Sequence, residues 1–295
     1  MRPGSIISDS LLRLTIGLGK LFARLPYPLL FKLGRGLGWL LYWSTPKRRH
    51  IARVNLELCF PERTPAQIDQ LLKAHYISLG QGFTEAIWGW WGRHEKRPQY
   101  QIDGLEHLEK ARSEGRGVLL YTGHFTCMEL GTYFLTLHQD LGIVYRPNRH
   151  PLINQAIDGG RKRHAAALFP KDQTLRMVRW LKKGSVLWIA PDQSYSRSQS
   201  AMLPFFGISC ATNIAVPTLA KMGNAVIIPF FVHRDNNTFY LKLHPPVKGI
   251  PSENEASDTL KLVHYLEEHI RNHPADYLWG HRRFKKLADG RPSPY

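Results

Sequence analysis

From residue 118 onward, short apolar runs alternate with stretches of helical periodicity, and few folds accommodate that alternation. Val118 to Tyr121, Leu141 to Tyr145, Ala166 to Phe169, Val186 to Ile189, Val226 to Val232 and Phe239 to Leu243 read as strands. Helical patterns near 126–138, 151–164, 172–183 and 212–222 lie between them. Strands apolar on both faces need cover on both sides, which predicts an α/β fold with a mostly parallel central sheet covered by helices. In such sheets ligands bind beyond the carboxyl ends of the strands, so the residues that follow each run are the first place to look for chemistry. No internal repeat, low-complexity run or glycine-rich nucleotide loop interrupts the pattern.

Ahead of the strands the chain reads as helical. Thr64 is a candidate cap, Pro65 suits a first turn, and Ile68, Leu71, Leu72, His75, Leu79 and Phe83 keep a helical period as far as Trp91, although Gly80, Gly82 and Gly89 weaken the second half. Leu11 to Trp43 is rich in Leu, Phe, Tyr and Trp but carries Arg13, Lys20, Arg24, Lys32 and Arg35, too many charges for a clear membrane span. Pro26 and Pro28 divide it. Leu29, Leu33, Leu37, Leu40 and Leu41 form an apolar side opposite Lys32 and Arg35, the pattern of a helix lying in a bilayer interface, with Trp39 and Trp43 at headgroup depth and Lys47, Arg48 and Arg49 against phosphates. A helix pair packed on a core with a solvated basic side, and a short tilted span, stay open as alternatives. The resulting organisation is a membrane-associating helical segment at 1–45, a helical lead-in at 46–98 ending in the basic break Arg93 to Pro98, and an α/β domain at 99–295.

Lys and Arg number 40 against 23 Asp and Glu, a net charge of +17, which points to an anionic partner. Anionic lipid, an acidic carrier protein and nucleic acid all qualify on charge, but no nucleic-acid reading motif or clustered basic and aromatic platform is present, so nucleic acid is not expected. Cys59, Cys127 and Cys210 are scattered and odd in number, against a disulfide framework and in keeping with a reducing compartment. No Cys/His cluster has zinc-ligand spacing, and neither a metal nor a cofactor is expected. The opening MRPGSIISDS lacks the parts of a cleaved signal peptide.

Directly behind the run Val118 to Gly123 stand His124 and, five residues on, Glu129. His is the side chain best poised to take a proton at neutral pH, and a carboxylate on its other nitrogen would fix the tautomer and stabilise the imidazolium. On one uninterrupted helix, residues five apart diverge by about 140°, so contact between the two requires His124 to lie outside the helix that carries Glu129. Gly123 allows the sharp turn, and His124 would then stand near a helix N-terminus. Arg146 follows a predicted strand, Arg161 and Arg163 end a predicted helix, and Asp192 and Gln193 follow another strand. These arginines are candidates for binding substrate or holding an oxyanion, or are solvated charges; Asp192 is a candidate substrate contact or the ion-pair partner of one of them. Cys127 offers a rival thiol nucleophile, against its reading as a small core residue. Trp88, Trp90 and Trp91 read as packing or interfacial residues.

The chain resembles the late, or secondary, acyltransferases of lipid A biosynthesis, of lauroyl or myristoyl transferase type, within the wider glycerolipid acyltransferase superfamily with its HXXXXD/E motif. The resemblance runs nearly the full length, through Arg53-Val54-Asn55-Leu56, Cys59-Phe60-Pro61, Gly123-His124-Phe125 to Glu129-Leu130-Gly131, Tyr145-Arg146-Pro147, Leu181 to Gly184, Asp192-Gln193, Pro204 to Gly207, and Trp279 to Lys285. The superfamily usually has Asp where this chain has Glu129, and many glycerol-phosphate enzymes have a Glu-Gly pair at Asp192-Gln193, which argues against a glycerol-phosphate acceptor. The resemblance implies transfer of a fatty acyl chain from acyl carrier protein to a 3-hydroxyacyl hydroxyl of a Kdo-bearing lipid A precursor, at the cytoplasmic face of the inner membrane. His124 would be the general base and Glu129 would orient it; Arg161, Arg163 or backbone amides near His124 would hold the oxyanion, with no covalent acyl-enzyme. Phe205, Phe206 and apolar helix faces are candidates for the acyl groove. The alternatives are an acyltransferase acting on another lysolipid or glycolipid, and a non-catalytic protein that binds anionic lipid.

Overall fold

The computed structural model describes residues 3–93, 95, 97–193, 199–288 and 290–295. Met1 and Arg2 of the opening segment, and His94 and Lys96 of the basic break, lie outside the described residues. Four helices come first: α1 (Pro3–Phe22), α2 (Tyr27–Ser44), α3 (Pro46–Cys59) and α4 (Pro65–Trp91). Thr64 and Gln67 form a reciprocal capping box at the start of α4, with Pro65 in its first turn. Gly80 does not weaken that helix but brings it against α2: a Cβ there would lie 2.2 Å from Gly38 N and 2.3 Å from Gly34 O. The two helix backbones touch because all three positions lack side chains.

The remaining elements are β1 (Gln99–Asp103), α5 (Glu106–Ser113), β2 (Gly117–Tyr121), α6 (Met128–Thr136), β3 (Leu141–Tyr145), α7 (Pro151–Arg161), β4 (Ala167–Pro170), α8 (Thr174–Leu181) and β5 (Val186–Ile189), followed by β6 (Ser200–Phe205), β7 (Ile208–Asn213), α9 (Ala215–Met222), β8 (Ala225–Asp235), β9 (Thr238–Leu243) and α10 (Glu255–Asn272). Seven strands make one sheet in the order β1-β9-β8-β2-β5-β3-β4. All its pairs are parallel except β8 with β9, which are joined by a tight turn. The mostly parallel sheet is therefore the one expected from the alternation of apolar runs and helical patterns. Every residue of β2 is buried, as a central parallel strand with cover on both faces requires.

Some elements differ from the sequence reading, and β1, α5, β6, β7 and α10 have no counterpart among the predicted strands and helices. The helix placed at 212–222 begins at Ala215, because Thr212 and Asn213 belong to β7, which pairs with β6 in a separate hairpin. Phe206 and Gly207 form its two-residue turn with φ of 50° and 77°. A phenylalanine rarely adopts that conformation; here its backbone N–H donates to Glu267 at 2.7 Å and its ring packs edge-on against Phe60 at 5.3 Å. Phe205 and Phe206 are thus core residues, 0% and 9% exposed, and do not form the acyl groove for which they were candidates.

The N-terminal helices leave large apolar side chains in solvent. On α1, Leu11, Leu14, Leu18 and Leu21 recur at helical spacing and are each more than half exposed. On α2, Leu29, Leu33, Trp39, Leu40 and Trp43 are exposed while Leu30, Gly34, Gly38 and Tyr42 face the protein. Among the described residues no helix is long and apolar enough to cross a membrane.

Candidate active site

The sheet brings two loops together. β2 and β5 are parallel neighbours in a register that sets Tyr121 opposite Ile189. His124 and Asp192 each lie three residues beyond that matched pair, so both leave the sheet at the same edge, side by side. His124 precedes α6, which starts at Met128 and carries Glu129, so the histidine does stand outside that helix.

Its partner, however, is Asp192 rather than Glu129. His124 Nδ1 donates to Asp192 Oδ1 at 2.5 Å, and the His124 backbone N–H donates to Oδ2 at 3.0 Å. Tyr277 completes the arrangement by donating its hydroxyl to the same Oδ2 at 2.9 Å. Asp192 is almost wholly buried, and burial opposes its charge; His124 and the donated hydrogen bonds nonetheless bring its pKa down to about 2. Burial likewise opposes a charged imidazole, but the Asp192 carboxylate outweighs it and raises the His124 pKa. Because a carboxylate only accepts, Nδ1 carries the proton, which leaves Nε2 as the basic nitrogen on a ring that lines the cleft.

Glu129 has a different set of partners. Arg161, at the end of α7, donates to it from Nε at 3.2 Å and from Nη2, and Trp90 donates from Nε1 at 2.9 Å. Burial would raise the Glu129 pKa, but Arg161 overcomes this and lowers it, while Glu129 in turn raises that of Arg161. The pair is therefore ionic at neutral pH. The expected Glu129 contact with the imidazole ring is replaced by a contact with arginine, and Asp192, a candidate substrate contact or partner of an arginine, pairs with the histidine.

The loop joining β2 to α6 is fixed from behind. Thr126 N–H donates to Asp276 O at 2.7 Å, Leu278 N–H donates to His124 O at 2.9 Å, and Phe125 bridges Tyr277. Helix α4 meets the loop at Gly82, where a Cβ would come within 2.2 Å of Thr126 O, so the second glycine of α4 admits the site loop. The amides of His124, Thr126 and Met128 are all engaged, by Asp192, Asp276 O and Phe125 O, so these three are not free to hold an oxyanion. Cys127 is fully buried with Sγ 3.6 Å from Val232 O, and burial holds its thiol well above the ordinary range. It is a core residue.

Beyond the imidazole opens a cleft of about 430 Å³ lined by His124, Met128, Tyr145, Arg146, Arg161, Lys171, Trp188, Gln193, Asn213 and His281, among others. Arg146 and Arg161 are where the sequence placed them, but Arg163 does not line it: its guanidinium donates to Trp90 O at 2.8 Å and faces another cavity. Lys171, Asn213 and His281 escaped the sequence reading as individual site residues. Lys171 immediately follows β4, so the rule of strand exits is sufficient to flag it; His281 lies in the stretch Trp279 to Lys285 that carries the family resemblance, and no comparable signal marks Asn213. The cleft shares Val144, Lys171, Ile189 and Asn213 with a narrower recess of about 160 Å³, whose other walls include Met177, Val216, Leu219 and Met222. An imidazole held by a buried carboxylate, a cationic wall and an apolar recess thus meet at one sheet edge.

Comparison with known proteins agrees with that combination. Residues 6–286 match the family described as bacterial lipid A biosynthesis acyltransferase. The chain is 34% identical over 287 residues to the lipid A biosynthesis lauroyltransferase of Escherichia coli (strain K12), covering 96% of this chain and 94% of that protein. It is 33% identical to the palmitoleoyltransferase of the same organism, over 95% of this chain and 92% of that one, and 30% identical to a lipid A biosynthesis acyltransferase of Haemophilus influenzae, over 92% and 89%. With its family matched from the first helix to beyond the last, the chain belongs to the bacterial lipid A biosynthesis acyltransferases.

Proposed function

We propose that this acyltransferase moves a fatty acyl chain from acyl carrier protein to a 3-hydroxyacyl hydroxyl of a Kdo-bearing lipid A precursor, at the cytoplasmic face of the inner membrane. The observation that carries the reading is the Asp192–His124 pair opening into a cleft walled by Arg146, Arg161 and Lys171. His124 Nε2 takes the proton of the acceptor hydroxyl, and Asp192 fixes the tautomer and stabilises the imidazolium as it forms. The hydroxyl oxygen attacks the thioester carbonyl. Arg161 receives the resulting oxyanion: Glu129, itself held by Trp90, fixes its guanidinium before reaction, and a preorganised charge stabilises a developing anion without reorganising. Collapse of the tetrahedral intermediate expels the carrier thiolate, which takes the proton back from His124. Glu129 acts on this reading as a positioning residue for Arg161.

Arg146 and Lys171 meet the phosphates and sugar-acid carboxylates of the acceptor, and the recess beside Met177, Val216, Leu219 and Met222 takes the acyl chain. The net charge of +17 suits both an anionic acceptor and an acidic carrier. The exposed leucines of α1 and the exposed Leu29, Leu33, Leu40 and Trp43 of α2 lie in the bilayer interface, with Lys47, Arg48 and Arg49 among the headgroups.

The test is direct assay. Purified protein incubated with acyl carrier thioester and Kdo-bearing precursor yields a product heavier by one acyl chain, and fragmentation locates that chain on a 3-hydroxyacyl oxygen. Transfer to a lysophospholipid in preference to the precursor overturns the acceptor assignment, and transfer from acyl coenzyme A in preference to the carrier overturns the donor.

A further inference from the structure

A second cavity, of about 620 Å³, lies apart from the cleft between α1, the end of α4 and α7. Arg13 and Lys20 of α1 and Arg163 beyond α7 line it together with Ile16, Trp91, Leu152 and Ala156, and among the described residues no acidic side chain forms its walls. Its neighbouring acids face elsewhere: Asp9 approaches His150 at 3.4 Å, and Asp158 accepts from Tyr145 at 2.7 Å and Asn154 at 2.9 Å. Gly17 and Gly159 also form its walls, and a Cβ on either would meet nothing within 4 Å. The space is open where those side chains are missing.

Its position on α1 gives it a direction. Arg13, Ile16, Gly17 and Lys20 share one helix face, and the exposed row Leu11, Leu14, Leu18 and Leu21 sits about 130° round from it at 100° per residue. With the leucines immersed, this face of α1 is turned away from the hydrocarbon, on the headgroup side of the helix. Cations beside apolar walls match a molecule with a phosphodiester head and a hydrocarbon tail.

We infer that the cavity between α1, α4 and α7 is a binding site for an anionic bilayer phospholipid, its phosphodiester held by Arg13, Lys20 and Arg163 and the start of an acyl chain lying against Ile16, Trp91 and Leu152. It rests on the membrane contact proposed above, and it is separate from the acyl-transfer site. The same packing joins it to that site: Gly160 lies so close to Trp90 that a Cβ would come within 2.4 Å of Trp90 Cβ, and Trp90 holds Glu129.

Native mass spectrometry of the full chain released from neutral detergent, titrated with phosphatidylglycerol or with phosphatidylcholine of the same chains, tests it. One phosphatidylglycerol is retained in preference to phosphatidylcholine. Arg13→Ala/Lys20→Ala weakens that retention on the order of tenfold or more, and Gly17→Phe, which fills the space without changing charge, also abolishes the preference. Lys32→Ala/Arg35→Ala, removing the same charge from α2, leaves it intact. Equal retention by wild type and Arg13→Ala/Lys20→Ala overturns the site. So does displacement of the lipid by inorganic phosphate at equal concentration, which marks a free-anion site, and so does an unchanged lipid preference accompanied by a raised KM for the acyl carrier thioester, which marks a carrier-docking surface. Sedimentation with phosphatidylglycerol vesicles separates the two levels: if wild type fails to sediment, the membrane reading fails, whereas if both variants sediment but retain no lipid, the membrane reading and the site stand together.

Discussion

Two carboxylates serve the cleft, and they differ in what they face. Asp192 and Glu129 are both nearly buried, and both keep their charge against the cost of burial. Asp192 keeps it beside an imidazole, which gains and loses a proton near neutral pH. Glu129 keeps it beside a guanidinium, which does not. A carboxylate next to a titrating partner tunes a base; one next to a permanent cation fixes that cation in space. The five-residue spacing from His124 to Glu129 therefore marks two components of one site without marking a pair in contact.

The largest effect expected is from the base itself. His124→Ala lowers kcat by about 10³-fold or more, within the range of general-base catalysis, and wild-type rates in a folded variant would remove the histidine from the chemistry. Asp192→Asn follows, with a loss on the order of 10²-fold and a change in pH profile. The wild-type His124 pKa is raised above 6.5, and only the neutral ring accepts a proton, so kcat/KM climbs with pH through a value above 6.5. Without the Asp192 carboxylate the burial that lowers a histidine pKa is opposed only by the weaker effect of Glu129, and the acid limb of the profile moves to lower pH.

Glu129→Gln tests the other half of the comparison. It loosens Arg161 while leaving the Asp192–His124 pair, so kcat falls about 10-fold to 100-fold and the acid limb moves much less than in Asp192→Asn. Steady-state rates across pH for the two variants decide it: an equal displacement of both acid limbs would make Glu129 an orienter of histidine after all. Smaller still is the effect of narrowing the recess. Leu219→Phe shifts the preferred donor toward shorter acyl chains by a several-fold change in the ratio of kcat/KM values, as expected for methylenes in an apolar pocket. Unchanged preference across a series of acyl carrier thioesters would move the acyl chain elsewhere.

Much of this arrangement was legible in the order of residues. Val118 to Tyr121 and Val186 to Ile189 announced themselves as buried parallel strands, and the rule that ligands collect at carboxyl ends singled out both His124 and Asp192. What joins these two is strand adjacency and register, Tyr121 against Ile189, and no local pattern encodes which strands lie side by side. The near sequence therefore offers Glu129 as the ring partner. Tyr277, 85 residues from the Asp192 it donates to, was invisible for the same reason. Gly80 and Gly82 misled in the opposite sense: propensity counts them against a helix, whereas tertiary packing uses one to admit α2 and the other to admit the site loop. Phe205 and Phe206 showed their apolar character but not their destination, since apolar side chains suit a groove and a core equally well.

The smallest effect belongs to Cys127, and its smallness bears on both carboxylates. A thiol nucleophile needs to reach substrate as thiolate, yet this one is fully buried, its thiol held well above the usual range, with Sγ toward Val232 O on the side of β8. Cys127→Ser, which leaves a hydroxyl the same carbonyl to donate to, retains activity within about threefold once folded protein is normalised, any loss appearing as stability because a buried polar group replaces a small apolar one. Mass spectrometry of wild type after brief exposure to acyl carrier thioester alone then shows no acyl adduct on Cys127. An acylated Cys127 would instead give His124 a thiol to deprotonate, and the contrast between a carboxylate that tunes a base for the acceptor and one that anchors an arginine would lose its first half.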